Sequence, residues 1–100
     1  MHIIIWEYQV KPKSQPKFET IYSPEGAWAR LFNKSRGYMG TELLRDVTDP
    51  QRYLTIDRWD SKEAFKEFLS QWEYEYNSLD ALCEGLADSE SPLGRWESTK

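Results

Sequence analysis

The sequence predicts an α+β fold in which four strands and two helical regions follow one another in the order β-α-β-β-α-β. Three observations lead to this prediction. The chain opens on a segment rich in Ile, Trp, Tyr and Val, two further strand-like segments flank a proline-containing turn near its middle, and two stretches with apolar residues at helical spacing separate these segments. An antiparallel sheet with both helices on one face, the ferredoxin-like arrangement, has this order of elements.

The first strand is predicted over residues 2–11, because both alternating sets of side chains near its start are apolar. We therefore expect a central strand that is covered on both faces. Pro12 ends it, since proline cannot donate to the hydrogen bonds of a sheet. A helical region over 15–34 follows, and Ser23-Pro24 is expected to divide it by capping a second helix.

The next two strands are predicted over 38–47 and 52–59, joined by a hairpin turn at 48–51. Alternation places Tyr38 and Thr41 on opposite faces of the first of these strands. The second places four side chains on one face: Tyr53, Thr55, Asp57 and Trp59.

A second helix is predicted over 61–82, with Asp60 as its N-cap and one continuous apolar stripe along its length. The acidic, polar stretch 88–94 shows no periodicity, so a mobile loop is expected there. Residues 95–98 are expected to form a short edge strand.

Composition excludes several classes of function. The 100 residues are expected to form a single domain with an ordered core over about 2–98, and the 15% aromatic share argues against disorder. The net charge of −4 argues against binding to nucleic acid phosphates. With one cysteine and one histidine, Cys83 and His2, the chain cannot form an internal disulfide, a cysteine-based zinc site or a pair of histidine metal ligands. No apolar run has the length of a membrane helix and no signal peptide is recognisable, so a cytoplasmic protein without a membrane partner is expected.

The stretch Tyr53–Phe65, YLTIDRWDSKEAF, resembles the signature of the antibiotic biosynthesis monooxygenase-like family. In that family a strand ends in Trp, followed by a polar residue, Ser, two variable residues and the Ala that opens the second helix. Gly37-Tyr38 is similar to the start of the family's second strand, and the order of elements extends the resemblance over nearly the whole chain. The resemblance implies a dimeric α+β barrel, a homodimer in which two ferredoxin-like subunits pack sheet against sheet, with a small apolar pocket between each sheet and its helices.

The resemblance also implies an activity, since some members oxidise aromatic phenols with O₂ and no cofactor, whereas others degrade haem. Haem-degrading members place an Asn late in the first strand, where Tyr8 stands here, and an iron-ligating His in the second helix, which contains none. Quinone-forming members place an Asn shortly before the signature tryptophan, where Thr55 stands. Haem degradation is therefore not expected.

Two main hypotheses follow. The first is a cofactor-independent monooxygenase acting on a small aromatic or phenolic compound, with Tyr8 and Asp57 as catalytic residues that handle protons and with no metal. Six side chains are expected to bind the substrate: Trp6, Thr55, Trp59, Phe65, Phe68 and Trp72. Plain core packing is the alternative for the aromatic residues, and a cross-strand pair with an arginine is the alternative for Asp57. The second hypothesis is a non-catalytic module of the same fold that binds a small apolar ligand or only dimerises. A third hypothesis, a stress-related or dehalogenase-like activity, ranks last, because such relatives use a histidine that only His2 could supply.

Overall fold

The computed structural model describes residues 1–99. The first half of this part forms β1 (His2–Val10), a 3₁₀ turn (Pro12–Ser14), α1 (Gln15–Tyr22), α2 (Ala27–Phe32) and β2 (Tyr38–Arg45). The second half forms β3 (Arg52–Trp59), α3 (Lys62–Gln71), α4 (Glu73–Leu82) and β4 (Ala87–Glu97). The α+β order is confirmed, with each of the two helical regions divided into two helices.

The strands form one antiparallel sheet in the order β2-β3-β1-β4, which is the strand order of the ferredoxin-like arrangement. On the face that packs against the helices, β1 buries Ile4, Tyr8 and Val10. Ile3 and Ile5 point to the opposite face and are only half-buried. Within the described chain the central strand is therefore covered on one face, not on both as expected.

Trp59 lies at the centre of the core, and none of its surface is exposed. Its indole packs against three phenylalanine rings at centroid distances of 5.4, 5.2 and 5.3 Å: Phe32, Phe65 and Phe68. The tryptophan at the end of β3 thus joins α2 and α3 to the sheet by aromatic packing.

The break between α1 and α2 depends on Gly26. The predicted cap at Ser23 is wrong, because Ser23 ends α1 and α2 begins only at Ala27. Between them the chain turns so tightly that a Cβ on Gly26 would lie 2.3 Å from the Ile21 carbonyl oxygen. The turn therefore requires glycine, because the group in the way is backbone and cannot rotate aside.

We expect Gly26→Ala to lower the free energy of unfolding by about 1–3 kcal/mol, which is the usual cost of over-packing. Urea denaturation of the purified protein measures this. Glu25→Ala, at the exposed neighbouring position, should change the midpoint little. Equal midpoints for the two variants would show that the turn relaxes without cost.

The second helical region begins at a different cap from the predicted one. Ser61 Oγ accepts a hydrogen bond from the Ala64 N–H at 3.0 Å and caps α3. The Asp60 N–H instead donates to the Gly37 carbonyl at 2.7 Å. Two adjacent residues could cap this helix, and the contact with the start of β2 decides which one does.

The predicted continuous helix over 61–82 is also wrong. Trp72 leaves the helical conformation (φ −117°, ψ 29°) and separates α3 from α4. The change of direction brings α4 against α2, where the Tyr76 and Trp28 ring centroids lie 5.1 Å apart.

The stretch 88–94 belongs to β4, so the expected loop is wrong, whereas the expected edge strand at the end of the chain is part of β4. The sequence shows no alternation because β4 is a largely exposed edge strand held by backbone pairing with β1. Pro92 is tolerated because it lies opposite Trp6 at a shift in register, where the ladder is already interrupted. The pairing places Glu90 opposite Tyr8. None of the described helices has the length and hydropathy to span a membrane.

Candidate active site

A cavity of about 70 Å³ lies between the helix-facing side of the sheet and the helices. Six aromatic side chains form most of its wall: Trp6, Tyr8, Tyr22, Trp28, Phe32 and Tyr76. Five polar side chains complete it: Thr41, Thr55, Asp57, Asp80 and Glu90. By comparison, one water molecule needs about 10–15 Å³, so the cavity suits a single small ring and not a polycycle. This combination of aromatic walls and few polar groups is typical of a small-molecule site.

Of the residues predicted for the site, the structure brings four together in the cavity wall: Trp6, Tyr8, Thr55 and Asp57. They come together because β1 and β3 are adjacent and antiparallel, with Trp6 opposite Thr55, and all four side chains point toward the helices.

The other four predicted residues do not line the cavity, and this is a correction. Trp59, Phe65 and Phe68 form the aromatic core described above and are buried against one another. Trp72 lies at the break between α3 and α4, where the Lys34 ammonium is 5.2 Å from its ring centroid. The helical stripe of α3 fills the space beneath the end of β3, so Trp59, Phe65 and Phe68 pack as core.

Asp57 is a partly buried carboxylate on the cavity wall. Its neighbours on the adjacent strands are Ile4 and Thr41, so the expected pair with an arginine does not form. Arg58 points to the other face and pairs with Glu42 there. Burial raises the pKa of Asp57 to about 6, although the hydrogen bond from Thr41 opposes this rise. The carboxylate is therefore ionised at neutral pH and able to accept a proton near pH 6.

Thr41 and Tyr38 connect Asp57 to β2 through hydrogen bonds. The Thr41 hydroxyl donates to Asp57 Oδ1 at 2.6 Å, and the Tyr38 hydroxyl lies 2.5 Å from Thr41 Oγ1. The Thr41 hydroxyl has one proton and donates it to Asp57, so the Tyr38 hydroxyl is the donor to Thr41 Oγ1. The three side chains form a chain of hydrogen bonds whose donors all point from the half-buried Tyr38 toward the Asp57 carboxylate.

A β-bulge makes this chain possible. The pairing of β2 with β3 shifts between Tyr38 and Gly40, and Gly40 has φ +123°, in the region that favours glycine. Simple alternation puts Tyr38 and Thr41 on opposite faces, and that prediction is wrong because the extra residue turns both toward the helices. Tyr38 then packs against Trp59 at a centroid distance of 5.4 Å.

Tyr8 is buried between aromatic rings, with the Phe18 and Tyr22 centroids each 5.2 Å from its own. Its hydroxyl oxygen accepts a hydrogen bond from Thr55 Oγ1 at 3.5 Å. Burial raises the pKa of Tyr8 above its ordinary value, and nearby carboxylates such as Asp57 add to the rise. Tyr8 is thus a neutral hydroxyl whose own proton is available to an oxygen atom in the cavity.

Two polar residues of the wall had no signal in the sequence: Asp80 and Glu90. Asp80 comes from α4, which the sequence joined to α3, as does Tyr76 of the apolar stripe, and Glu90 comes from the segment expected to be a loop. Burial raises the pKa of Glu90. Burial, together with the nearby carboxylates Asp80 and Asp57, also raises the pKa of Tyr76. Within residues 1–99 no three His, Cys, Asp or Glu side chains are grouped so that they could hold a metal ion.

Comparison with known families shows to which family the chain belongs. The family model of the antibiotic biosynthesis monooxygenases matches residues 1–75. The chain belongs to this family. The match ends within α4, so β4 and Glu90 lie outside it. No curated protein matches the sequence.

Solved structures of the family share the fold. A Deinococcus radiodurans protein assigned to the antibiotic biosynthesis monooxygenases has a TM-score of 0.77 at 15% identity, with 100% of this chain and 94% of that chain covered. SnoaB, a cofactor-independent oxygenase from Streptomyces nogalater, has a TM-score of 0.75 at 18% identity, covering 99% and 93%. The haem degrader MhuD from Mycobacterium tuberculosis, whose structure holds two haems in its active site, has a TM-score of 0.66 at 25% identity, covering 100% and 97%.

Proposed function

We propose that this family member is an oxygenase that acts on a small phenolic compound in the cavity without a metal or organic cofactor. The observation that carries the proposal is the Asp57 carboxylate, which lies in an aromatic cavity with its pKa raised by burial to about 6. The resemblance of the fold to a cofactor-independent oxygenase supports it. Trp6 and Thr55 are the proposed substrate-binding residues beside it, since both line the same wall.

In the proposed reaction Asp57 removes the phenol proton, and the resulting anion transfers electrons to O₂ directly. A phenol and O₂ together yield a quinone and water, so one oxygen atom enters the product, the other leaves as water, and no external reductant is needed. The neutral Tyr8 hydroxyl donates a hydrogen bond to the oxygen that becomes negative. Once protonated, the Asp57 carboxyl can donate to Thr41 Oγ1, and the Thr41 and Tyr38 hydroxyls must then both rotate before the proton leaves along this chain.

The cavity does not favour haem as the substrate. Its walls contain no histidine among the described residues, because His2 lies at the first position of β1 with its ring 6.4 Å from Phe65.

Oxygen uptake with a panel of phenols and hydroquinones tests this function. We expect turnover in which kcat/KM rises with pH and has its midpoint near pH 6, because only the ionised Asp57 accepts the proton. Tyr8 and Tyr76 face Asp57 and have raised pKa values, so they stay neutral in this range. Uptake that is absent with every phenol would leave the alternative, a non-catalytic binding module.

We also propose a homodimer formed through the open face of the sheet. Ile3, Ile5, Ile56 and Trp96 share this face, and the Trp96 side chain is 53% exposed. The Arg58–Glu42 ion pair lies on the same face. A sheet face that leaves apolar side chains open is commonly covered by a second copy of the chain.

Sedimentation at micromolar concentration should give a species of about 24 kDa, twice the 11.9 kDa of one chain. Ile56→Glu should dissociate it, because a charge would be buried between the two sheets. Leu82→Glu, at an apolar position of α4 that is 75% exposed, is the matched control and should remain dimeric. A wild-type species of the mass of one chain would exclude the dimer.

A further inference from the structure

A second cavity of about 330 Å³ adjoins the first, because both are lined by Tyr22, Asp80 and Glu90. It lies between α1 and the segment that leads from α4 into β4. The inner cavity has aromatic walls, whereas the outer one is lined largely by residues of 80–90, five of which are polar. A ligand that fills both would place a ring inside and a polar group where the two cavities meet.

Negative charge dominates both cavities. Five carboxylates line them: Asp57, Asp80, Glu84, Asp88 and Glu90. No lysine, arginine or histidine of residues 1–99 lines either cavity. Lys11 compensates part of this negative charge, because its Nζ lies 3.9 Å from Asp88 Oδ1 at the outer end of the second cavity. The Arg95 side chain on β4 lines neither cavity, because its guanidinium carbon lies 5.1 Å from the centroid of the Phe65 ring in the core. Among residues 1–99 no salt bridge joins Asp57, Asp80 or Glu90 to a cation, although Arg95 is near enough to lower the pKa of Tyr76 in the inner wall.

The aromatic wall adds to this preference. The rings adjoin one another, with centroid distances of 5.2 Å for Tyr8–Tyr22, 6.2 Å for Tyr22–Trp28 and 5.1 Å for Trp28–Tyr76. Aromatic faces attract cations, and several faces around one space are the usual means of binding a quaternary or protonated amine. Trp28 is 8% exposed, and its indole N–H interacts with the Tyr22 hydroxyl without completing a hydrogen bond of normal geometry, so a ligand oxygen can also accept from it.

We propose that the two cavities together bind an organic cation, a small aromatic ring that carries a protonated or quaternary nitrogen. The ring occupies the aromatic end, and the nitrogen lies where Asp80 and Glu90 face both cavities. As a statement about the substrate this rests on the proposed function, and it then specifies a phenolic amine. A positive nitrogen would also offset the repulsion that these carboxylates exert on a phenol that loses its proton at Asp57.

Binding to matched ligands tests the charge requirement without any catalysis. Phenyltrimethylammonium and tert-butylbenzene have the same shape and differ in charge, and benzoate supplies the opposite charge. Isothermal titration calorimetry of the wild-type protein should show phenyltrimethylammonium binding at least tenfold more tightly than tert-butylbenzene, with no detectable binding of benzoate. Raising the salt concentration should weaken the binding of the cation alone. Equal affinity for the cation and the neutral ligand would overturn the proposal.

Two variants locate the nitrogen. Asp80→Asn and Glu90→Gln should each weaken phenyltrimethylammonium binding several-fold while leaving the binding of tert-butylbenzene unchanged. Glu73→Gln, which removes one negative charge from an exposed position on the same helix as Asp80, should leave both unchanged. An equal loss of affinity in the Glu73 variant would mean that overall charge attracts the cation and not the cavity.

The outcomes separate this inference from the proposed function. Tight binding of the cation without oxygen uptake with any phenolic amine would keep the inference and reject the oxygenase. Suppose instead that the protein takes up oxygen with neutral phenols but binds phenyltrimethylammonium and tert-butylbenzene equally well. That result would keep the oxygenase and reject the inference.

Discussion

Replacing Asp57 with asparagine is expected to lower kcat for oxygen uptake with a phenolic substrate by about 10²–10⁴-fold, the usual contribution of a positioned general base. The amide has the same shape and can still accept the hydrogen bond that Thr41 donates to Asp57. It cannot take up a proton, so the proposed anion would not form. The variant should also lose the rise of kcat/KM near pH 6.

The stability of the same variant controls for unfolding. The folded-state pKa of Asp57, about 6, lies above its ordinary value of 3.8 because burial penalises the charged form. The ionised side chain therefore costs stability above pH 6, whereas below about pH 4 it is protonated in both states and costs none. We expect Asp57→Asn to unfold at a higher urea concentration than wild type at pH 8 and at a similar one at pH 4. A variant that keeps wild-type turnover would remove Asp57 from the mechanism.

Replacing Trp59 with alanine is expected to lower the free energy of unfolding by about 3–5 kcal/mol, as for other large aromatic residues removed from a core. The indole is fully buried and joins α2 and α3 to the end of β3, so its loss leaves a cavity that rigid neighbours cannot fill. Urea unfolding at fixed protein concentration measures the change, since a dimer would make stability depend on concentration.

Two further variants keep this prediction testable. Trp59→Phe retains a ring and should remain folded with a smaller loss of stability, even where the alanine variant does not fold. Tyr74→Ala removes an aromatic side chain that is 79% exposed on α4, and its midpoint should be close to that of wild type. A loss below about 1 kcal/mol for Trp59→Ala would show that the core collapses around the missing side chain.

The sequence by itself determined the order of the elements and four of the eleven residues of the cavity wall. Alternation over residues 52–59 predicted β3 with the bounds that the structure has. It also placed Thr55 and Asp57 on one face. The same rule applied to β1 placed Trp6 and Tyr8 on one face. Because β1 and β3 pair in the ferredoxin-like order, these two sets meet in the cavity wall.

Periodicity could not assign the aromatic side chains to core or cavity. A stripe at helical spacing shows which face of a helix is buried, but not what lies against it. The turn at Trp72 leaves Phe65 and Phe68 against Trp59 and directs Tyr76 to the cavity, although the sequence placed them on one stripe.

Only the tertiary structure decided the polar part of the site. The bulge at Gly40 turns Tyr38 toward Thr41. One inserted residue moves every side chain before it to the opposite face of the sheet from the one that alternation predicts. Glu90 belongs to an edge strand whose position is set by the backbone of β1 and not by its own side chains. The sequence thus predicts which residues β1 and β3 offer to the helices, whereas the pairing of strands and the packing of α4 decide which carboxylates share one cavity, because both depend on contacts between segments far apart in the chain.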